Sequence, residues 1–189
     1  MHTLIVYCHP YEQSFCHAML ETLCERYDRE GTPYEVIDLY VDGFDPVLSR
    51  DELAVYNAGT ALDPLVTRYQ ELIAGCNRLV FIFPIWWNDV PAMLKGWLDK
   101  VLLSGFSWEA TGEGLIGTLT YIESAEVYTA SSNPTEFIRE HTGDAIQRMF
   151  IEGTLWQLGI GRGTWENFGG MDTSTPGERA EFLRKLSGR

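Results

Sequence analysis

Apolar runs with strand character alternate with helix-like patterns along most of the chain. Thr3–Cys8, Tyr34–Leu39 and Leu79–Phe83 are rich in aliphatic, β-branched and aromatic residues. The last of these runs is apolar throughout, which is typical of a central parallel strand covered by helices on both faces. The alternation predicts an α/β fold built on a doubly wound parallel sheet with helices on both faces.

The remaining elements follow from the spacing of apolar residues and from the positions of proline and glycine. Helices are predicted from Ser14 to about Glu30, over Val66–Gly75, from Pro91 to about Leu103, over Pro134–Gln157 with a weak point at Gly143, and over Pro176–Leu186. Leu119–Ala130 holds one or two further strands and Gly159–Phe168 the last one; Tyr40–Leu65 and the loop Gly105–Gly117 lack a regular pattern. We expect one domain over residues 1–189.

Composition narrows the class of protein. The 189 residues carry 14 Lys and Arg against 27 Asp and Glu, a net charge of −13, so we expect no nucleic-acid partner. We expect no integral membrane segment, because no apolar run approaches about 18 residues. The four cysteines show no CxxC spacing, which favours a reduced, cytoplasmic protein, and the histidines lack the spacing of a zinc site, so no metal is expected.

The first strand leads into a polar turn that suits an anion. His9, Gln13 and Ser14 supply side-chain donors, and the N-terminus of the following helix offers free N–H groups and a favourable dipole. The turn lacks both GxGxxG and a Walker A motif, which disfavours ordinary dinucleotide binding and P-loop chemistry. The alternative is an ordinary polar loop with a capping serine.

Two further loops leave strands at the same predicted edge of the sheet. Pro84–Asn88 contains Trp86 and Trp87, whose indoles suit a flat, conjugated ligand; the alternative is that both are core or interface anchors. The polar loop Thr129–Asn133 follows a later strand. Loops at the carboxyl ends of parallel strands converge, so the three predict a cleft of mononucleotide size.

Hydrolytic chemistry has little support. No GxSxG motif is present, and Cys8 lies within the predicted first strand. A Ser/His/Asp hydrolase built from Ser131, His141 and Asp144 rests only on closeness in the sequence.

Taken together, these motifs resemble the flavodoxin-like NAD(P)H:quinone oxidoreductase family, which includes the potassium-efflux ancillary proteins. The most specific match is FPIWWNDVPAMLKGWLDKVLLSGFSW over Phe83–Trp108, supported by Val6–Phe15, Asp38–Pro46 and Thr175–Arg179. The resemblance implies a flavodoxin-like sheet of five parallel strands. It also implies a bound flavin and two-electron, ping-pong hydride transfer from NAD(P)H to a quinone or similar aromatic acceptor.

The resemblance assigns roles residue by residue. His141 matches a histidine that stabilises reduced flavin and is the expected catalytic residue, although the family's accompanying tyrosine is absent. Phe106 and Trp108 match aromatic residues that close the acceptor pocket across a dimer interface. The residues that match flavin-binding positions are His9, Gln13, Ser14, Phe15, Cys16, Pro84, Ile85, Trp86, Trp87, Asn88, Thr129, Ala130, Ser131 and Arg179.

Flavin choice and partners follow from the same resemblance. The long Tyr40–Leu65 segment and Arg179 favour FAD, with FMN as the alternative, because FAD also needs a site for its AMP half. The resemblance implies a homodimer. The competing hypothesis is a flavin-binding regulatory subunit of a potassium-efflux or other membrane partner; a one-electron flavodoxin is less favoured, because Trp108 and the long insertions suit a substrate pocket.

Overall fold

The computed structural model of the chain describes residues 2–188, so the two terminal positions of the predicted 1–189 domain lie outside the described residues. Five parallel strands form the central sheet in the order β2-β1-β3-β6-β7. They are β1 (Thr3–Tyr7), β2 (Tyr34–Asp38), β3 (Arg78–Pro84), β6 (Ser124–Ala130) and β7 (Gly163–Phe168). The predicted doubly wound sheet of five parallel strands is confirmed.

Helices cover both faces of this sheet. The α-helices are α1 (Phe15–Glu30), α2 (Arg50–Val55), α3 (Pro64–Ala74), α4 (Ala92–Val101), α5 (Thr135–His141) and α6 (Pro176–Leu186). A π-helix with wider, i→i+5 hydrogen bonding follows α5 over Ile146–Leu155. One apolar cluster joins α3, α4 and the π-helix to one face of the sheet, and a second joins α1 and α6 to the other.

Local sequence explains where the elements near the site begin and end. Ser14 caps α1, since its side chain accepts a hydrogen bond from the His17 N–H. Gly31 ends α1 in the left-handed conformation that glycine adopts without steric cost (φ 65°). The burial of every residue of β1, and of all of β3 after Arg78, explains why these strands are almost wholly apolar.

The predicted helix Pro134–Gln157 is wrong in one respect: it is two helices. The first, α5, ends at His141, and Gly143 and Asp144 then take positive φ angles of 84° and 51°. These left-handed residues turn the chain before the π-helix begins at Ile146. The weak point expected at Gly143 is therefore a complete break.

The loop Gly105–Gly117 contains an antiparallel hairpin that the pattern did not predict. Its strands are β4 (Trp108–Thr111) and β5 (Gly114–Gly117), and they stand apart from the main sheet. Both strands are short and largely exposed, so they carry no alternation of buried and exposed residues that a sequence reading could detect.

The Tyr40–Leu65 segment, in which the sequence shows no regular pattern, contains the short helix α2, capped by Ser49 and Glu52, and packs against α4. A Cβ atom added to Gly96 would lie 2.1 Å from the carbonyl oxygen of Pro46, so this contact needs glycine. One helical turn later, the nearly buried Lys100 (4% exposed) places its Nζ 2.9 Å from the Asp45 carbonyl oxygen and 2.9 Å from Glu52 Oε1. The segment is thereby attached to the helix that follows the tryptophan loop.

The described residues contain neither a membrane-spanning helix nor a cluster of metal-ligating side chains. Among residues 2–188, no helix is long and apolar enough to cross a membrane. Within the same residues, no group of three or more His, Cys, Asp or Glu side chains is arranged to hold a metal ion.

Candidate functional site

The loops after β1, β3 and β6 meet at the carboxyl edge of the sheet, as the sequence predicts, and enclose two adjoining cavities. The smaller has a volume of about 330 Å³ and the larger about 600 Å³. The smaller is lined by His9, Tyr11, Gln13, Ser14, Phe15, Cys16, Pro84, Ile85, Trp86, Ala130, Ser131, Ser132 and Met171. The larger is lined by Ile85, Trp86, Trp87, Asn88, Ser131, Ser132, Asn133 and Ile138. The four residues common to both lists make the cavities one continuous cleft.

The smaller cavity ends at the N-terminus of α1. Ser14 Oγ accepts the N–H of His17 at 3.1 Å, so one of the free donors of the first turn is satisfied by the cap. The N–H groups of Phe15 and Cys16 precede any helical carbonyl acceptor and remain available to a ligand. Together with the helix dipole, they make this end of the cleft suitable for an anion.

His9 contributes a donor with a defined direction. Its Nδ1 accepts the Tyr11 N–H at 3.0 Å, so the neutral imidazole carries its hydrogen on Nε2. Burial lowers the pKa of His9, which favours this neutral form. Gln13 Oε1 similarly accepts the Tyr11 hydroxyl at 2.8 Å, which leaves the Gln13 amide NH₂ group as a donor.

Cys16 forms part of the cavity wall as a neutral thiol. Burial raises its pKa to about 12, so the thiolate is scarce at neutral pH. A nucleophilic role is therefore disfavoured for Cys16, as it is for Cys8, whose pKa burial also raises to about 12.

The tryptophan loop is a tight two-residue turn. Trp86 and Asp89 exchange backbone hydrogen bonds of 3.2 Å, and Trp87 and Asn88 between them have φ angles of 53° and 65°. Two successive positive φ angles define a type I′ turn, a conformation that costs an ordinary residue about 1–2 kcal/mol. Trp87, at the tip of this turn, is 98% exposed. A large apolar side chain held in water by a strained backbone indicates a surface for a ligand or partner.

Only part of this loop's backbone is free to bind a ligand. The N–H of Ile85 donates to the Ala130 carbonyl oxygen at 2.8 Å, and that of Trp86 donates to Asp89. Within the described part of the chain, no hydrogen bond uses the N–H groups of Trp87 and Asn88. The backbone donors that this loop offers to a ligand are therefore those at the tip of the turn.

Five predicted site residues do not line the cleft in the single chain. Thr129 is fully buried, and its Oγ1 is held between Trp165 Nε1 and Asn167 Oδ1, each at 2.8 Å. Arg179 lies on α6 and approaches the Ser174 hydroxyl at 3.4 Å. His141 is exposed at the end of α5 with its ring 5.1 Å from that of Phe137.

The other two lie around the hairpin. Trp108 donates its indole N–H to the Leu102 carbonyl oxygen at 3.0 Å, which fixes the ring at the end of α4. Phe106 is partly buried against the larger apolar cluster. The predicted roles of these two residues require a second chain and stay predictions.

Some cleft residues were not predicted from the sequence. Tyr11, Ser132 and Asn133 adjoin predicted residues in the same loops, so the loop assignment itself was the available signal. Ile138 and Met171 reach the cleft from α5 and from the turn after β7, and an apolar residue at such a position has no distinguishing pattern. Asn167 lies behind the wall, in contact with Ser131, and was also missed.

Comparisons with known proteins agree with this geometry. A family model named Flavodoxin_2 and described as a flavodoxin-like fold matches residues 1–188. An uncharacterized NAD(P)H oxidoreductase of Haemophilus influenzae is 28% identical over 170 residues, which cover 89% of this chain and 84% of the relative. A ribosyldihydronicotinamide dehydrogenase (quinone) of Pongo abelii is 31% identical over 159 residues, covering 71% of this chain and 69% of the relative.

A solved structure gives the same result. The NAD(P)H:quinone oxidoreductase from Methanothermobacter marburgensis superposes with a TM-score of 0.85 and 33% identity, covering 100% of this chain and 94% of that one. The chain belongs to the Flavodoxin_2 family of flavodoxin-like proteins. The family assigned from the sequence motifs is confirmed.

Proposed function

We propose that this protein is a flavin-dependent enzyme that carries out two-electron, ping-pong hydride transfer from NAD(P)H to a quinone or similar aromatic acceptor. The observation that carries the proposal is the continuous cleft at the carboxyl edge of the sheet. One end lies at a helix N-terminus suited to a phosphate, and the other is walled by Trp86 and Trp87, suited to a flat ring system.

The residues of the cleft fit a flavin by the chemistry of their donors. The N–H groups of Phe15 and Cys16 and the Nε2–H of His9 suit its phosphate, and Gln13 adds an amide donor. The tryptophan turn, with the free N–H groups of Trp87 and Asn88, suits the ring. A flavin held by these residues would supply the two-electron hydride chemistry that links the nicotinamide to the acceptor.

The chain's own residues bind the flavin, orient it and cover its ring. Trp86 lines both cavities, with its ring 5.9 Å from and edge-on to that of His9, and so joins the phosphate end to the ring end. Few ionisable side chains are needed, because donor and acceptor are recognised by stacking on aromatic walls. We assign to His141 the stabilisation of negative charge on the reduced ring. His141 lies at the exposed end of α5, outside the cleft of the single chain, so it would reach the ring only in a closed or dimeric form.

The comparisons confirm the predicted oxidoreductase class. The quoted relatives are described as NAD(P)H oxidoreductases or quinone-linked dehydrogenases, and none as the regulatory subunit of a channel. The regulatory alternative is therefore not favoured. A quinone acceptor for this chain is supported by the names of these relatives and by the aromatic walls of its own cleft.

We propose FAD as the flavin, with FMN as the alternative. A third cavity of about 300 Å³ lies beside Arg179 and has the size and polarity to accept part of the AMP half. Its walls are Phe168, Gly169, Gly170, Thr173, Ser174 and Glu178. The absorbance spectrum and mass of the cofactor released from the purified protein test the choice: a mass of FMN contradicts it.

We also propose a cytoplasmic homodimer of single-domain chains. Trp87 (98% exposed) and Trp86 (44%) line the larger cavity and leave apolar surface exposed there, which a second chain would cover. Phe106 and Trp108 of that chain are then the residues expected to close the acceptor pocket. Light scattering tests this: a mass near twice 21.5 kDa supports the dimer, and a mass of 21.5 kDa contradicts it.

A further inference from the structure

A chain of hydrogen bonds runs from β7 to the wall of the cleft. Trp165 Nε1 contacts Thr129 Oγ1 at 2.8 Å, and Thr129 Oγ1 contacts Asn167 Oδ1 at 2.8 Å. Asn167 Nδ2 then contacts Ser131 Oγ at 2.9 Å, and Ser131 Oγ contacts the Asn133 carbonyl oxygen at 2.7 Å. Of these residues, Ser131 and Asn133 line the cleft.

The donor and the acceptor of each hydrogen bond in this network follow from the groups at its two ends. The indole N–H of Trp165 can only donate, so Thr129 Oγ1 accepts from it and keeps its own hydrogen available for Asn167 Oδ1. The carbonyl oxygen of Asn133 can only accept, so the Ser131 hydroxyl must donate to it. The group of Asn167 that meets Ser131 is therefore the amide NH₂, and no alternative orientation of the amide satisfies both ends.

This direction determines what Ser131 offers to a ligand. Its hydroxyl hydrogen is used by Asn133 and one of its two lone pairs by Asn167. Its backbone N–H donates to the Phe168 carbonyl oxygen at 3.0 Å, and its carbonyl oxygen accepts the Met171 N–H at 3.0 Å. The remaining lone pair of Oγ is what the side chain has left for the cleft.

We propose that Asn167 is a positioning residue: it holds the Ser131 hydroxyl, whose hydrogen is taken by the Asn133 carbonyl oxygen, as a hydrogen-bond acceptor at the junction of the two cavities. The ligand therefore presents an N–H or O–H group there. Resting on the proposed function, this means that a donor of the flavin meets Ser131, whereas the donors of the α1 N-terminus meet its phosphate. The cleft thus offers donors at the α1 N-terminus and an acceptor at the junction of its two cavities.

The same amide also positions the neighbouring wall. Asn167 Nδ2 donates to Thr135 Oγ1 at 3.0 Å, and Thr135 is the first residue of α5. Ile138, one turn further along α5, lines the larger cavity. One side chain on β7 therefore holds both the Ser131 loop and the start of α5.

A double-mutant cycle on flavin affinity tests the proposal. The full chain, freed of flavin, is titrated with FAD and with FMN by fluorescence quenching, using Ser131→Ala, Asn167→Ala and the double variant. Each single change is expected to weaken flavin binding about tenfold, the effect of one hydrogen bond. Because Asn167 acts on the ligand mainly through Ser131, Asn167→Ala is expected to weaken binding much less when Ser131 is already alanine than it does alone, and the small remaining loss is the part that acts through Thr135.

Controls separate this proposal from folding and from the proposed function. Thr164→Ala, an exposed change on the same strand, is expected to leave affinity unchanged, and Asn167→Val replaces Asn167→Ala if thermal unfolding shows that the latter does not fold. Losses that multiply in the double variant, or an unchanged affinity in Ser131→Ala, overturn the inference while the proposed function stands. Failure of the unsubstituted chain to bind either flavin overturns the proposed function itself.

Discussion

At the scale of single residues, Trp87 is the clearest sign that the carboxyl edge is a working surface. Its side chain is 98% exposed, and its backbone is left-handed, a conformation that bulky residues avoid. Neither property helps the chain to fold. Both are explained if the indole contacts a ligand or a second chain, so its role in binding and its role in stability can be separated.

Trp87→Gly is expected to keep or raise the free energy of unfolding, by up to about 1 kcal/mol, because glycine adopts φ 53° without strain. The same change is expected to weaken flavin binding or raise the KM for a quinone about tenfold, since the indole is lost. Urea unfolding and steady-state kinetics measure the two effects. Trp156→Ala, which removes an exposed indole outside the cleft, is the control; equal kinetic loss in both variants contradicts the assignment.

The cysteines allow a test of the local environment. Burial raises the pKa of Cys8 and Cys16 to about 12 and that of Cys76 to about 11, so at pH 8 all three remain protonated thiols in the folded state. We expect a disulfide reagent to label at most the half-buried Cys24 in the native protein and all four thiols after unfolding. Rapid native labelling of Cys16 would mean that the wall at the α1 N-terminus is open.

Residue-level prediction from the sequence succeeded for loops and failed for individual atoms. The positions of His9, Ser14 and Trp86 after buried strands placed them at one edge of the sheet, because parallel strands end together. The burial of Thr129 could not be foreseen, since it depends on Trp165 and Asn167 from a strand 36 or more residues away. The hydrogen bond from the Ile85 N–H to the Ala130 carbonyl oxygen could not be foreseen either, because it too joins residues far apart in the sequence.

At the scale of elements, α4 holds together the parts that surround the cleft. Lys100 joins it to the Tyr40–Leu65 segment through Asp45, Glu52 and Asp63. Although burial would raise the pKa of Glu52, hydrogen bonds from Ser49 and Lys100 lower it below its usual value. This carboxylate therefore remains charged and paired near neutral pH, and the pair is costly to break.

Lys100→Met is expected to lower the free energy of unfolding by about 3–5 kcal/mol, because it leaves partly buried carboxylates without a cation. Lys95→Met on the same helix is the matched control. Lys95 is exposed and pairs with the exposed Asp99, so its loss is expected to cost less than about 1 kcal/mol. Chemical unfolding compares the two, and equal losses would contradict the account of the buried pair.

The elements also show where sequence patterns are least informative. The apolar spacing of Pro134–Gln157 is continuous, yet Gly143 and Asp144 break the helix and the part after it winds as a π-helix. Apolar periodicity does not report the hydrogen-bonding type, and a single glycine is compatible with a continuous helix. The strands β1 and β3 were predictable because their burial makes them apolar, whereas the exposed hairpin Trp108–Gly117 was not.

At the scale of the whole molecule, the net charge of −13 acts on anionic co-substrates before they reach the cleft. We expect kcat/KM for NADH to rise with ionic strength, and that for NADPH to rise more steeply because of its additional phosphate. An increase of about two- to tenfold between 0.01 and 0.15 M salt follows from the shortening of the screening length from about 30 to 8 Å. Stopped-flow rates measure this; a decrease with salt would mean that local cations govern the approach.

The most direct test of the central claim is an anaerobic titration of the purified chain after incubation with FAD or FMN. We predict that the protein retains flavin and is yellow, that NADH or NADPH bleaches the absorbance near the flavin maximum, and that a quinone restores it. A protein that takes up neither flavin, or one whose bound flavin is not reduced by either nicotinamide, would contradict the assignment of the cleft.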